Sequence, residues 1–125
     1  MAKILVVDDE AVVRELLRST LEADDHVVIE GGDGAEALEK FRNEKPDIVF
    51  LDVRMPGMDG VEALRKILKI DSEAKVIMLT ALDDILVERE AREVGAVDFL
   101  RKGIGVKAFM AVARRLLANV ARESP

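Results

Sequence analysis

Four short apolar runs in this chain end in groups that a buried strand has no structural use for. Ile4-Leu5-Val6-Val7 runs into Asp8-Asp9, Asp47-Ile48-Val49-Phe50-Leu51 into Asp52, Ala74 to Leu79 into Thr80, and Val97 to Leu100 is followed two residues on by Lys102. In an open parallel α/β sheet the carboxyl ends of the strands share one edge, and the first and third strands are neighbours at the switch point, where ligands bind. Asp8, Asp9 and Asp52 then fall in one shallow pocket. Like charges ~4 Å apart repel by about 4 kcal/mol per pair at an effective dielectric near 20. A hard divalent cation relieves this, and Mg²⁺ characteristically binds through one or two carboxylates plus a phosphate while keeping several waters. With Lys102 as a mobile positive charge and Thr80 as a hydroxyl donor, the set suits phosphoryl transfer onto an aspartate, where positioning and charge neutralisation do most of the work.

Other chemistries are excluded by composition. There is no Cys, so disulfides, thiolate metal sites and thiol nucleophiles are ruled out. Four Phe without Trp or Tyr make a poor stacking platform for bases or sugars. A net charge of -6 argues against direct contact with nucleic acid, which rests on Lys and Arg neutralising phosphates. Nowhere do 18 apolar residues run together, and the run at 4–7 is too short for a signal peptide, so the expectation is a cytoplasmic protein without a membrane segment.

The elements that must position these groups can be read along the chain. Half the residues are hydrophobic and 35% are charged, a globular profile, and 125 residues make one domain. Strands are expected at 4–7, 26–30, 47–52, 74–79 and 97–100. Between them the apolar period changes to helical spacing, with Leu17 and Leu21, Ala37 and Phe41, Leu64 and Ile67, and Val87, Ala91 and Val94 as inner stripes. The last helix spans about 106–122, and the tail 122–125 stops it. Asp33 with Glu36 and Asp59 with Glu62 have capping-box spacing, and Asp83 is the expected cap of the fourth helix, which Gly95 ends. Five strands alternating with five helices imply a parallel sheet covered on both faces. Asp9 has two readings, helix N-cap and metal ligand. His26, in a helix-to-strand turn, reads as a surface residue. Ile85 and Leu86 lie off the inner stripe of the fourth helix, either packed under the preceding loop or forming an exposed apolar patch.

The order Asp8-Asp9, Asp52 before Met55-Pro56-Gly57-Met58-Asp59-Gly60, Thr80-Ala81, and Phe99-Leu100-Arg101-Lys102 resembles the receiver domain of two-component response regulators, across essentially the whole chain. The resemblance implies a flavodoxin-like fold with strand order 2-1-3-4-5, forming a single domain over residues 1–125 of the chemotaxis-regulator kind. It implies that Asp52 accepts a phosphoryl group from a phosphohistidine on a sensor histidine kinase or phosphotransfer protein. Asp9 and Asp52 would ligate Mg²⁺ directly, with the backbone carbonyl of Arg54 as a further ligand and Asp8 acting mainly through water. Thr80 and Lys102 would bind the phosphoryl oxygens. Phe99 would be an aromatic switch beside Thr80, or simply a core residue, passing the signal to the face formed by the fourth helix, fifth strand and fifth helix. A downstream protein or output domain would read that face, with the chain a monomer or a phosphorylation-dependent dimer. The domain would catalyse only its own phosphoryl transfer and dephosphorylation.

One feature departs from the family pattern. Pro usually follows the lysine, commonly with a cis peptide, whereas this chain has Lys102-Gly103-Ile104-Gly105. A non-proline cis bond costs ~3–4 kcal/mol, so a trans bond and a looser loop are expected. Two other functions fit parts of the pattern: a receiver-like module that binds partners without phosphorylation, and a flavodoxin-like cofactor binder. The acid-rich edge, and the lack of a Gly-rich or Ser/Thr-rich phosphate loop after the first strand, speak against the second.

Overall fold

A computed structural model describes residues 1–122; the expected helix stop at 122–125 lies largely outside them. The elements run β1 (Lys3–Val7), α1 (Ala11–Glu22), β2 (Val27–Gly31), α2 (Gly34–Glu44), β3 (Ile48–Asp52), α3 (Gly60–Ile70), β4 (Val76–Thr80), α4 (Ile85–Val94), β5 (Asp98–Arg101) and α5 (Val106–Arg122). All strand pairs are parallel, in the order β2-β1-β3-β4-β5. This is the five-stranded, flavodoxin-like arrangement expected.

The period-2 alternation of each strand splits the core into two layers. Leu5, Val7, Val49, Leu51, Val76 and Met78 face α2, α3 and α4, packing with Phe41, Leu64, Ile67 and Ala91. Ile4, Val6, Phe50, Ile77, Leu79 and Leu100 face α1 and α5, packing with Leu17, Leu21, Phe109, Ala113 and Leu116. β3 and β4 are buried along their whole length, as strands in mid-sheet must be. The edge strand β2 is wetter, with Val27 exposed and Ile29 and Glu30 only partly covered.

Register carries this alternation to the functional edge. Val7 lies opposite Leu51, so the next residues, Asp8 and Asp52, leave the sheet side by side. Thr80 lies opposite Arg101. Where β3 ends, the chain turns through residues 53–59 and α3 starts hard against it. A Cβ added to Gly60 would stand 2.1 Å from the Asp52 carbonyl oxygen and 2.6 Å from Val53 Cα, so only glycine permits this approach.

Strand bounds differ from expectation by one or two residues, and one helix cap moves by one. β2 starts one residue later, because the His26 Nδ1 accepts the Ala2 N–H at 2.9 Å while Gly31 extends the pairing with Val7. His26 is thus a half-buried structural acceptor rather than a free surface side chain. Asp33 and Asp59 cap α2 and α3 through the Glu36 and Glu62 amides, at 2.8 and 2.9 Å. Asp83, however, is a turn residue, and the N-cap position of α4 falls to Asp84.

Candidate functional site

The site is built at the ends of β1 and β3. Asp8 is fully buried, whereas Asp9 and Glu10 are exposed. Glu10, not Asp9, is the N-cap residue of α1, which removes the capping reading of Asp9. Its side chain makes no cap hydrogen bond, leaving that carboxylate free to turn toward the site. The Glu10 N–H instead donates to Asp8 Oδ1 at 2.8 Å, fixing the buried acid. Asp52, 3% exposed, accepts the Arg54 N–H through Oδ1 at 3.2 Å.

One ammonium serves Asp8, Asp52 and Glu10 together. Lys102 Nζ lies 2.7 Å from Asp8 Oδ2, 3.0 Å from Asp52 Oδ2 and 3.2 Å from Glu10 Oε1. Its own backbone N–H donates to the Thr80 carbonyl at 2.7 Å, tying the root of the side chain to β4. The glycines that follow do not merely loosen this loop. Gly103 takes φ +83°, left-handed backbone that a β-carbon disfavours, so it shapes the turn beyond the lysine. No cis peptide occurs among the described residues.

Charge balance shows in the proton affinities. Burial and the neighbouring Asp8 carboxylate push Asp52 from 3.8 up to about 6, against the Arg54 amide and Lys102, which pull it down. An acid with pKa about 6 is still ~90% ionised at pH 7, so Asp52 is a charged, poorly hydrated carboxylate under ordinary conditions. Burial alone would lower Lys102, but Asp8 and Asp52 outweigh it and hold the ammonium firmly protonated.

The acids exceed the single lysine. Asp8, Asp9 and Glu10 each present a carboxylate oxygen, all within 4.8 Å of one another. Asp8 Oδ2 is buried with the Lys102 ammonium 2.7 Å away as its partner, and it shares that ammonium with Asp52 and Glu10. A cluster of carboxylate oxygens with one ammonium to share is an all-oxygen donor set of the kind a hard cation such as Mg²⁺ accepts. Sequence reasoning passed over Glu10; its signal was available, as a third acid directly after Asp8-Asp9.

Above these groups lies a cavity of about 300 Å³ lined by Asp9, Glu10, Asp52, Arg54, Ala81, Asp84 and Lys102. A larger hollow of about 500 Å³ lies beside it, between residues 53–61 and α4. Its acids Asp59 and Glu90 are engaged by the α3 cap and by Arg65, so the chemistry belongs to the smaller cavity.

Thr80 and Phe99 are placed beside the site rather than in it. Thr80 is fully buried and its hydroxyl donates to Glu88 Oε2 at 3.0 Å. Arg101 grips the same carboxylate with Nε and Nη2, at 3.1 and 3.0 Å. Phe99 is half-buried against the α2–α4 layer, with the Arg92 guanidinium 4.7 Å from its ring centroid. Across the cavity mouth, Arg54 Nη2 donates to Asp84 Oδ1, while Asp84 Oδ2 accepts the Ala81 N–H at 2.7 Å. Glu88 and Asp84 also escaped the sequence reading, because an acid in the first turn of a helix ordinarily signals capping alone. Ile85 and Leu86 are exposed, at 62% and 75%, which decides for the apolar patch.

An open parallel sheet with a buried aspartate, a half-buried lysine and an acidic rim at its switch point defines a class of protein, and comparison with known proteins agrees. Residues 4–114 match the family model described as "Response regulator receiver domain". The chain is 40% identical over 101 residues to the chemotaxis protein CheY of Bacillus subtilis, covering 80% of this chain and 84% of that protein. It is 41% identical over 115 residues to the probable transcriptional regulator ycf27 of Guillardia theta, covering 92% of this chain and 45% of that protein. It thus spans about half the length of that relative. The solved receiver domain of NtrX from Brucella abortus superposes with a TM-score of 0.82 at 33% identity, covering 92% of this chain and 98% of that one. The chain belongs to the receiver domains of two-component response regulators, signalling modules rather than enzymes acting on a separate substrate.

Proposed function

We propose that this domain is a phosphorylation-dependent switch whose acceptor is Asp52. The observation that carries the reading is the pairing of a buried, ionised Asp52 with Lys102 Nζ 3.0 Å away, beneath an open cavity. A phosphohistidine on a sensor kinase or phosphotransfer protein is the donor. An Asp52 carboxylate oxygen attacks phosphorus as the N–P bond breaks, and the electron pair leaves on the imidazole nitrogen. Lys102 Nζ, with Asp8 and Glu10 as alternative partners, can follow the negative charge from the carboxylate to the transferred oxygens. Asp8, Asp9 and Asp52, with the Arg54 carbonyl, would hold Mg²⁺, which when bound supplies the charge neutralisation that the lysine alone cannot. Glu10 adds a fourth carboxylate to that set.

Thr80 and Phe99 serve the readout. A phosphoryl group adds roughly -1.5 to -2 charge and strong acceptor oxygens. Thr80 then turns its hydroxyl toward the phosphate, vacating space into which Phe99 moves, and the face of α4, β5 and α5 changes shape for a downstream protein or output domain. The setting is the cytoplasm; among the described residues, no helix is long and apolar enough to cross a membrane.

Incubation with acetyl phosphate tests the central claim. An alkali-labile adduct that requires Mg²⁺ and vanishes in Asp52→Asn is the expected result. An adduct of equal yield in Asp52→Asn sinks the assignment.

A further inference from the structure

Two donors where β4 runs into α4, the Thr80 hydroxyl and the Ala81 N–H, are already bound, each by a carboxylate of α4 or its cap. The Ala81 N–H gives its proton to Asp84, and the Thr80 hydroxyl gives its proton to Glu88. Residues 84 and 88 are four apart, so both acids stand on one side of the same helix. Each acid is also held by an arginine: Asp84 by Arg54, Glu88 by Arg101. We infer that Glu88 is an internal rival of the phosphoryl group for the Thr80 hydroxyl, a positioning residue that holds the unphosphorylated conformation.

The chemistry of the hydroxyl makes this competition exclusive. A threonine has one proton to donate, and Thr80 is fully buried with no access to water. It therefore serves either Glu88 or a phosphoryl oxygen. The grip on Glu88 is built in: Thr80 and Arg101 are register partners on β4 and β5, and the arginine fork meets the carboxylate with two parallel hydrogen bonds. The Arg101 fork, opposed by partial burial and helped by the Thr80 hydroxyl, keeps Glu88 below the usual glutamate range, so it stays an anionic acceptor at neutral pH.

Two consequences follow. Only molecules whose Thr80 has left Glu88 offer the hydroxyl to a phosphoryl group, so the apparent affinity falls by the fraction released. By linkage, a partner that draws Glu88 or Arg101 to itself on the α4–β5 surface favours phosphorylation of Asp52 by the same factor.

The test measures binding of beryllofluoride, a phosphoryl mimic, by calorimetry in Mg²⁺, and it rests on Asp52 being the acceptor. Glu88→Ala should tighten binding ~10-fold, the scale of one hydrogen bond to a charged acceptor, and Glu88→Gln by ~2–3-fold because a neutral acceptor competes less well. Removing Glu88 also frees the Arg101 charge, so both variants are repeated with Thr80→Ala. There the gain should shrink to within twofold of the Thr80→Ala parent. An unchanged or weaker affinity in Glu88→Ala overturns the inference, as does an equal gain in the Thr80→Ala background. Should Glu88→Ala not fold, the Gln pair decides on the same criteria. Binding by the parent that Asp52→Asn abolishes, with no Glu88 effect, rejects the rivalry alone; binding that survives Asp52→Asn rejects the acceptor as well.

Discussion

Two stretches of the same sheet edge handle negative charge in opposite ways. At the ends of β1 and β3, Asp8, Glu10 and Asp52 share one lysine, with the Asp9 carboxylate close beside Asp8 and Glu10. At β4 and α4, Asp84 and Glu88 each have an arginine and a donor from the β4–α4 segment. Asp52 is pushed up to about 6, while Asp84 and Glu88 are held below the usual carboxylate range. For Asp84, burial works against that depression, but the Arg54 and Ala81 hydrogen bonds overcome it. The difference separates roles. An acid with too few partners stores unfavourable energy that a cation or a covalent modification can relieve, whereas an acid with a full set holds structure in place.

The largest expected effect breaks the unmatched side. Asp52→Asn should abolish labelling by acetyl phosphate, since an amide lacks the nucleophilic oxyanion. The next breaks the matched side. Asp84→Asn should destabilise the fold by about 2–3 kcal/mol, because the amide group must face either the Ala81 N–H or the Arg54 guanidinium with a donor of its own. Chemical denaturation at pH 7 measures it, and a loss under 0.5 kcal/mol, within the usual range of surface substitutions, would erase the contrast between the two regions.

A change of opposite sign sharpens the comparison. Neutralising Asp52 removes a buried charge that the fold disfavours, so Asp52→Asn should stabilise the metal-free protein at pH 7 by about 1–3 kcal/mol, the scale of its pKa displacement. Denaturation in EDTA reads this out. Saturating Mg²⁺ should narrow the gap, because the cation relieves the parent and has less to relieve in the variant.

Much of this was legible from residue order. Fully apolar runs at 4–7 and 48–51 read as mid-sheet strands, and their terminal acids had to share an edge once the helices alternated with them. Asp33 and Asp59 were readable as caps because their partners, Glu36 and Glu62, lie three residues on. The matched pairs were not readable: Glu88 meets Arg101 and Thr80, and Asp84 meets Arg54, through contacts that depend on which way α4 is rotated. That rotation also decided between Asp83 and Asp84 as cap, and left Ile85 and Leu86 exposed. The Gly103 turn misled for a related reason. Glycine permits both disorder and a left-handed turn, and only the surrounding backbone, with Lys102 N–H fixed on the Thr80 carbonyl, selects the turn.

The smallest effect lies in the pH profile, where the two regions pull in opposite directions. Asp52 is raised on folding, so its contribution to stability is fully present below about 3.8 and is lost as pH rises through about 6. Asp84 and Glu88 are lowered, so theirs is present above their ordinary values, 3.8 and 4.5, and is lost as pH falls below them. Metal-free protein should therefore gain about 1 kcal/mol between pH 7 and 5, then lose stability below about pH 4. Denaturation midpoints from pH 7.5 to 3.5 trace this curve. Asp52→Asn should flatten its neutral limb and leave the acid limb in place. If the neutral limb persists in that variant, the strain at the unmatched edge resides in another acid, and Asp52 loses its special standing among the four.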